Sequence, residues 1–214
     1  MRRLALRTAI RCRRVPTPAD HYQTLAAPAE FRQKIERSDF LALVFPVTRE
    51  DEFFAELARI EKKFFDATHH CWAFRLFANA RERSSDAGEP SGSAGKPILG
   101  AIDSANVHDA GAIVVRWYGG VKLGTGGLAR AYRETAAGAF REAKRLDRYV
   151  YSRFRVIVPF DALNTVYRLI EPPRVVLAGE EFAEENVFTF DVRESAAAEF
   201  AATLTEKRLR FTPH

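Results

Sequence analysis

The sequence predicts an α+β protein of two small domains, and three observations lead to that class. Stretches in which apolar residues alternate stand beside stretches in which they recur at helical spacing, so both strands and helices are expected. A β-α-β-β-α-β order begins near residue 149, which is the plan of a ferredoxin-like domain. A length of 214 residues suffices for two domains with separate cores. We therefore divide the chain into a tail (1–16), a first domain (17–148) and a second domain (149–214).

The first domain is predicted from periodicity alone. Its strands are expected at residues 22–25, 31–35, 40–47, 69–76 and 112–118. Its helices are expected at residues 49–65, 98–105 and from 128 onward. Residues 79–97 break all periodicity and predict a long loop, which is a feature typical of functional segments.

The second domain repeats the alternation of strand and helix patterns. Its strands are expected at residues 150–158, 174–178, 187–192 and 208–211. One helix is marked by Leu163, Val166, Tyr167 and Ile170, and Ser195 is a candidate cap for the other.

The net charge of +5 is concentrated in the tail. Residues 1–16 contain six arginines and no acidic residue, and removing these six from the 33 basic residues leaves 27 against 28 acidic residues. The remainder is almost neutral, so only a local patch could bind nucleic acid. The tail itself could be a phosphate-binding arm, a transit peptide, or an over-long start that does nothing. We expect its deletion to leave the melting temperature nearly unchanged.

The expected location is the cytoplasm. Two cysteines, Cys12 and Cys71, are too few for a secreted disulfide framework, and Cys71 is expected to be a small apolar residue in a strand. No apolar run approaches the roughly 20 residues of a membrane-spanning helix, so no membrane partner is expected.

A glycine-rich segment, GGVKLGTGG at residues 119–127, stands between a predicted strand and a predicted helix. Glycines let a ligand approach the backbone, and a helix N-terminus favours anions. The segment predicts a site for phosphate or another anion, or alternatively a tight structural turn. This segment and the glycine-containing loop at 86–97 are expected to form one anion-binding cleft. Its candidate contacts are Lys96, Arg116, Gly119, Gly120, Lys122, Gly124, Thr125, Gly126, Gly127 and Arg130.

Familiar catalytic motifs are not matched. PSGSAGKP differs from a phosphate-binding P-loop at both ends, and Ser91 replaces the first glycine of a nucleophile elbow around Ser93. A possible polar cluster remains, made of His69, His70, Asp86, Glu89, Ser91 and Ser93. Adjacent histidines on a strand point to opposite faces, so we expect no metal site, no cofactor and no assigned catalytic residue.

Two long motifs resemble the YigZ/IMPACT family. DAGEPSGSAGKP (86–97) is similar to the family's DDGEP-[SA]-G-[ST]-A-G-[KR]-P loop, and VVRWYGGVKLGTGGLARAY (114–132) to its VVVRY[FY]GG-x-x-LGTGGL-x-[KR]-AY block. Upstream, the segment from Asp66 to Cys71 resembles the family's D-A-x-H-H-C. Two departures are Ala87 in place of the second Asp, and Trp117 in place of Tyr.

The resemblance implies both a fold and a function. It implies a ribosomal-protein-like βαβ first domain similar to elongation factor G domain IV, and a ferredoxin-like second domain similar to its domain V. Eukaryotic members regulate translation through an additional N-terminal domain that binds a partner. The kinase regulation known for those eukaryotic members is not expected for this chain. The expected function is translation-linked binding or regulation, with RNA, the ribosome or translation factors as partners; the alternative is a hydrolase or transferase acting on a phosphorylated small molecule. The sequence predicts no oligomeric state.

Overall fold

The computed structural model describes residues 20–78 and 80–213, so the tail at 1–16, Cys12 and Asn79 lie outside it. The described residues form a mixed α/β protein with two compact units. One unit comprises residues 22–148, and the other comprises residues 20–21 together with 149–213. None of the helices in these described ranges is long and apolar enough to cross a bilayer.

The unit of residues 22–148 alternates strands and helices along the chain. Its elements are β1 (His21–Leu25), β2 (Ala29–Ile35), β3 (Ser38–Pro46), α1 (Glu50–Lys63), β4 (His69–Arg75), β5 (Glu82–Ser85), α2 (Gly95–Ala105), β6 (Ala110–Trp117), α3 (Gly124–Glu142) and β7 (Arg145–Tyr149).

A five-stranded antiparallel sheet in the order β2-β3-β6-β4-β5 forms the centre of this unit, and β1 pairs separately with β7. The central strand β6 is buried along almost its whole length because helices cover both faces of the sheet. On one face α2 and α3 pack over a core that includes Phe40, Ile98 and Tyr132. On the other face α1 packs over Phe74 and Ile113.

Helix α1 shows why the sequence forms its elements here. Phe53, Leu57 and Ile60 are buried and recur at helical spacing, which gives the helix one apolar face. The Glu52 carboxylate accepts the N–H groups of Thr48 at 3.0 Å and of the following residue at 3.2 Å. These bonds satisfy donors that have no partner within the helix, so the first turn is fixed.

The second unit continues the chain with β8 (Tyr151–Val158), α4 (Leu163–Tyr167), β9 (Val175–Phe182), β10 (Asn186–Arg193), α5 (Ala197–Glu206) and β11 (Arg210–Pro213). Its sheet has the order β11-β8-β10-β9, and all neighbours are antiparallel. One face of the sheet packs against α5 and the residues around α4, through a core that includes Phe154, Phe188 and Leu204. The chain order within this unit is therefore β-α-β-β-α-β.

Several predicted elements differ from the observed ones. The predicted loop at 79–97 contains the short edge strand β5, whose polar sequence ERSS has no apolar alternation. Helices α2 and α3 begin earlier than predicted, at Gly95 and Gly124, because glycine's low helix propensity made these starts look like loop. Strand β7 was not predicted, since its residues are mostly exposed. Ser195 does not cap α5: its backbone N–H and its hydroxyl both donate to the Asp20 carboxylate.

Candidate functional site

A buried ion pair joins the two family-like motifs. The Arg116 guanidinium, at the end of β6, donates through Nη1 to Glu89 Oε1 at 2.6 Å. The two side chains are only 5% and 3% exposed. Nη2 of Arg116 donates to the Ser38 hydroxyl at 3.1 Å, which connects the pair to the start of β3. Arg116 is therefore fixed inside the protein, which corrects its expected role as a surface contact for phosphate.

Tyr132 and Cys71 complete this buried polar cluster. The Tyr132 hydroxyl, on α3, donates to the same Glu89 oxygen at 2.8 Å. Burial strongly raises the pKa of Tyr132, and the proximity of Cys71 and Glu89 raises it further. The Cys71 thiol donates to the Asp86 carbonyl at 2.9 Å, and burial raises its pKa to about 12. Neither group is poised to ionise near neutral pH, so neither is an activated nucleophile or base.

The adjacent histidines on β4 make separate contacts. His69 Nδ1 lies 2.9 Å from the Ala87 carbonyl, so Nδ1 carries the hydrogen and donates. Its Nε2 lies 3.9 Å from Glu89 Oε1, at the edge of the buried cluster. His70 Nε2 lies 3.1 Å from the Phe64 carbonyl instead. The two rings do not converge on one ligand.

Asp86 occupies the N-terminus of α2. Its carboxylate accepts the N–H groups of Gly92 at 2.8 Å, Ala94 at 2.9 Å and Gly95 at 2.8 Å. Burial works against ionisation of Asp86, but these three bonds outweigh it and hold the pKa below its usual value. An anion of the protein itself already fills the position where a phosphate would bind.

The remaining polar residues of this loop divide between the interior and the surface. Ser93 is buried and its hydroxyl donates to the Pro90 carbonyl at 2.6 Å. Ser91 and Lys96 are exposed. Across the described ranges 20–78 and 80–213, no group of three His, Cys, Asp or Glu side chains could hold a metal ion.

The glycine-rich segment at 119–127 presents an open helix end. Leu123 is the N-cap of α3 and provides no side-chain hydrogen bond to the first turn. Gly124, Thr125 and Gly126 are exposed, whereas Gly127 is half-buried. Lys122 and Arg130 are exposed on either side of this turn. The N-terminus of α3 therefore differs from that of α2, where Asp86 is bound.

The glycines of this segment serve different purposes. A Cβ on Gly119 would lie 1.8 Å from the Arg37 carbonyl oxygen, so the close approach of the β2–β3 turn requires glycine there. Gly120 has a φ of +87°, which also favours glycine. Gly126 lies within α3 with open space around its Cβ position. Gly126 is helical and does not have a positive φ, so its conformation does not require glycine.

Comparison with known proteins places this arrangement in a family. The Impact N-terminal domain matches residues 36–140. An IMPACT family member from Haemophilus influenzae is 31% identical over 83% of this chain and 87% of its own length. The chain belongs to the IMPACT family. The IMPACT family member YigZ of Escherichia coli is 28% identical over 85% of this chain and 90% of its own. A crystal structure of a hypothetical protein has a TM-score of 0.64 and 26% identity, covering 90% of this chain and 96% of that chain.

Within this IMPACT family member, sequence reasoning identified part of the buried cluster. Glu89, His69 and Arg116 were singled out, but the hydrogen bonds from Tyr132 to Glu89, from Arg116 to Ser38 and from Cys71 to the Asp86 carbonyl were missed. Tyr132 and Cys71 fit apolar patterns, and only their place within the family motifs could have marked them. Ala87, which replaces the family's second Asp, contributes its backbone carbonyl to His69, a contact that any residue could make.

Proposed function

We propose that this chain is a translation-linked binding and regulatory protein that contacts RNA through the N-terminal end of α3. The observation that carries the proposal is the open first turn of this 19-residue helix, flanked by the exposed cations Lys122 and Arg130. The first N–H groups of a helix lack partners within it and carry partial positive charge. A phosphate is the natural ligand for such a position.

The contrast with α2 supports this choice of site. Both helices begin at a glycine-containing segment, but the Asp86 carboxylate fills the N-terminus of α2. An incoming phosphate would meet a negative charge there. The proposed site therefore uses Lys122, Arg130 and the backbone of residues 119–127.

Family resemblance supports the link to translation. Eukaryotic IMPACT proteins regulate translation, and the two domains of the family resemble elongation factor G domains IV and V, which face RNA. The β-α-β-β-α-β order and the strand order β11-β8-β10-β9 of the second unit are compatible with the domain V resemblance. Fold analogy alone does not assign a ligand, so RNA is part of the proposal.

The alternative, a hydrolase or transferase acting on a phosphorylated small molecule, finds less support in the geometry. Such an enzyme needs a nucleophile or base within reach of the substrate. Asp86 and Ser93 are bonded to the backbone of their own loop, and Glu89 is paired with Arg116.

Salt-dependent RNA binding tests the proposal. We expect Lys122→Ala combined with Arg130→Ala to weaken binding of a structured RNA and to lower the salt slope by up to about two, one per lost phosphate contact. Stability should hardly change, because both side chains are exposed. Fluorescence anisotropy across a salt series measures both quantities, with circular dichroism as the check on folding.

The matched control is Arg168→Ala combined with Lys207→Ala, which removes two exposed cations from the second unit. It should leave affinity and slope close to those of the wild type. If the Lys122 and Arg130 double variant behaves like this control, the N-terminus of α3 is a structural turn and the proposed site is wrong.

A further inference from the structure

Tyr118 is a half-exposed aromatic residue at the entrance to the glycine-rich segment. It follows the last residue of β6, and 44% of it is exposed. Its backbone N–H donates to the Thr68 hydroxyl at 3.0 Å, which fixes the main chain at this position. The next two residues, Gly119 and Gly120, have no side chains that could cover the ring.

The buried cluster holds the Tyr118 ring in place. The guanidinium carbon of Arg116 lies over the ring, 5.2 Å from its centroid. The same carbon lies 5.3 Å from the centroid of the buried Phe40 ring, so the cation contacts two aromatic rings. Arg116 is in turn fixed by Glu89 at 2.6 Å and by Ser38 at 3.1 Å.

The contact with the buried Arg116 guanidinium distinguishes Tyr118 from an ordinary surface aromatic residue. Burying a charged pair costs several kcal/mol of desolvation, which its mutual attraction only partly offsets. Here the buried cation lies over the ring of a residue that is 44% exposed, and it attracts that ring electrostatically. The result is a flat, positioned aromatic surface beside a run of glycines.

The short connecting chain keeps this ring within reach of the proposed phosphate site. Lys122 follows Tyr118 by four residues, so the chain between them spans at most about 14 Å. Gly119 donates its N–H to the Ser38 hydroxyl at 3.3 Å, which anchors the start of that short connection to the same cluster that fixes Arg116. One strand of RNA could therefore meet the ring and the cations together.

We propose that Tyr118 is a stacking platform for an unpaired RNA base, so that this site selects single-stranded or looped RNA over duplex. The proposal rests on the proposed function for its phosphate contacts and adds the base contact and the substrate class. Bases within a duplex are stacked on each other and present no free face, whereas an unpaired base can stack on an aromatic side chain.

The test compares a short single-stranded RNA with a blunt duplex of the same sequence, using Tyr118→Phe, Tyr118→Leu and Tyr118→Ala. We expect Leu and Ala to weaken single-strand binding roughly 5- to 150-fold, the usual range for losing one base stack, and Phe to retain it. The salt slope should not change, because no phosphate contact is lost. Quenching of a 2-aminopurine base in the single strand should persist in Tyr118→Phe and be lost in Tyr118→Leu.

Phe160→Leu is the matched control, since Phe160 is 83% exposed and lies in the second unit. Binding of the duplex should be weaker than binding of the single strand in the wild type and should be indifferent to residue 118. If Tyr118→Leu binds the single strand as the wild type does while the Lys122 and Arg130 variant binds it more weakly and with a lower salt slope, stacking is wrong and the phosphate site stands. If the wild-type chain binds neither RNA, both proposals fall.

Discussion

At the scale of single residues, Glu89 joins three parts of the first unit, and no pattern in the sequence predicts this. One of its oxygens accepts hydrogen bonds from Arg116 on β6 and from Tyr132 on α3. The carboxylate itself comes from the loop that precedes α2. Because Arg116 is buried, its charge depends on this single carboxylate for compensation.

Glu89→Gln should therefore destabilise the first unit strongly. The amide keeps the shape of the side chain but leaves the Arg116 cation uncompensated, which costs about 3–5 kcal/mol for buried pairs of this kind. Trp72 and Trp117 are the protein's two tryptophans and both lie in this unit, so urea unfolding followed by their fluorescence reports on it.

Glu56→Gln provides the comparison, because its partner Arg59 lies on the exposed side of α1. Losing that pair should cost less than about 1 kcal/mol. Similar unfolding midpoints for the two variants would show that the buried pair contributes no more than a surface one.

Single residues also show how much of the candidate site could be predicted from the sequence alone. The polar residues of the 86–97 loop attracted attention because a long loop within a compact domain is typical of functional segments. Tyr132 did not, since it falls on the apolar stripe of α3 and its ring is buried there, 5.4 Å from that of Phe40. Apolar periodicity predicts that the Tyr132 ring is buried, but it does not predict which group its hydroxyl binds.

At the scale of elements, the two glycine segments that look alike in the sequence have opposite roles. The 86–97 loop satisfies the N-terminus of α2 from within, through Asp86. The 119–127 segment leaves that of α3 open. The sequence could predict a glycine-rich start for each helix, but the partner of each N-terminus depends on tertiary contacts that residue spacing does not encode.

Glycine substitutions should separate structural from permissive positions in the second segment. Gly119→Ala would place a methyl group 1.8 Å from the Arg37 carbonyl oxygen, so the β2–β3 turn must move. We expect a loss of about 3 kcal/mol or more, the upper part of the range for overpacking. Gly126→Ala should instead stabilise α3 by roughly 0.5–1 kcal/mol, since its Cβ position is open.

Thermal unfolding of both variants, monitored by circular dichroism, measures this difference. The two substitutions add the same methyl group, so each serves as the control for the other. Equal effects on the melting temperature would mean that the contact between Gly119 and the β2–β3 turn does not constrain the fold.

At the scale of the whole molecule, Asp20 contacts residues of the second unit that lie far from it in the sequence. Its carboxylate accepts bonds from the Arg193 guanidinium at 2.9 and 3.2 Å and from the Ser195 hydroxyl at 2.7 Å. Only 1% of Asp20 is exposed. Arg193 lowers the pKa of this carboxyl well below its ordinary value of 3.8, against the effect of burial, and Ser195 lowers it further.

This contact should make the stability of the second unit sensitive to acid. A carboxyl group whose pKa is lower in the fold than in the unfolded chain contributes stability above its unfolded pKa and loses it as the pH falls. We expect Asp20→Asn to destabilise the unit by about 1–3 kcal/mol at neutral pH. The difference in the free energy of unfolding between Asp20→Asn and the wild type should narrow below about pH 5, as the wild-type carboxylate becomes protonated.

Hydrogen exchange of the β10 amides measures this effect within the unit. Asp161→Asn, at an exposed position of the same unit, is the control and should show no such gap. A gap between Asp20→Asn and the wild type that is constant from neutral pH to pH 3 would contradict the assignment of the ionised carboxylate to this contact.

Asp20 also sets an order of events during synthesis on the ribosome. Residues 22–148 are continuous in sequence, so that unit can fold as soon as its last strand has left the exit tunnel. Asp20 and Arg193 are separated by 173 positions, so this ion pair cannot form until those positions have been translated. In the nascent protein, Asp20 is therefore made long before the partners of its carboxylate, and a buried acidic residue of the finished fold must stay hydrated until residues 193–195 have followed it.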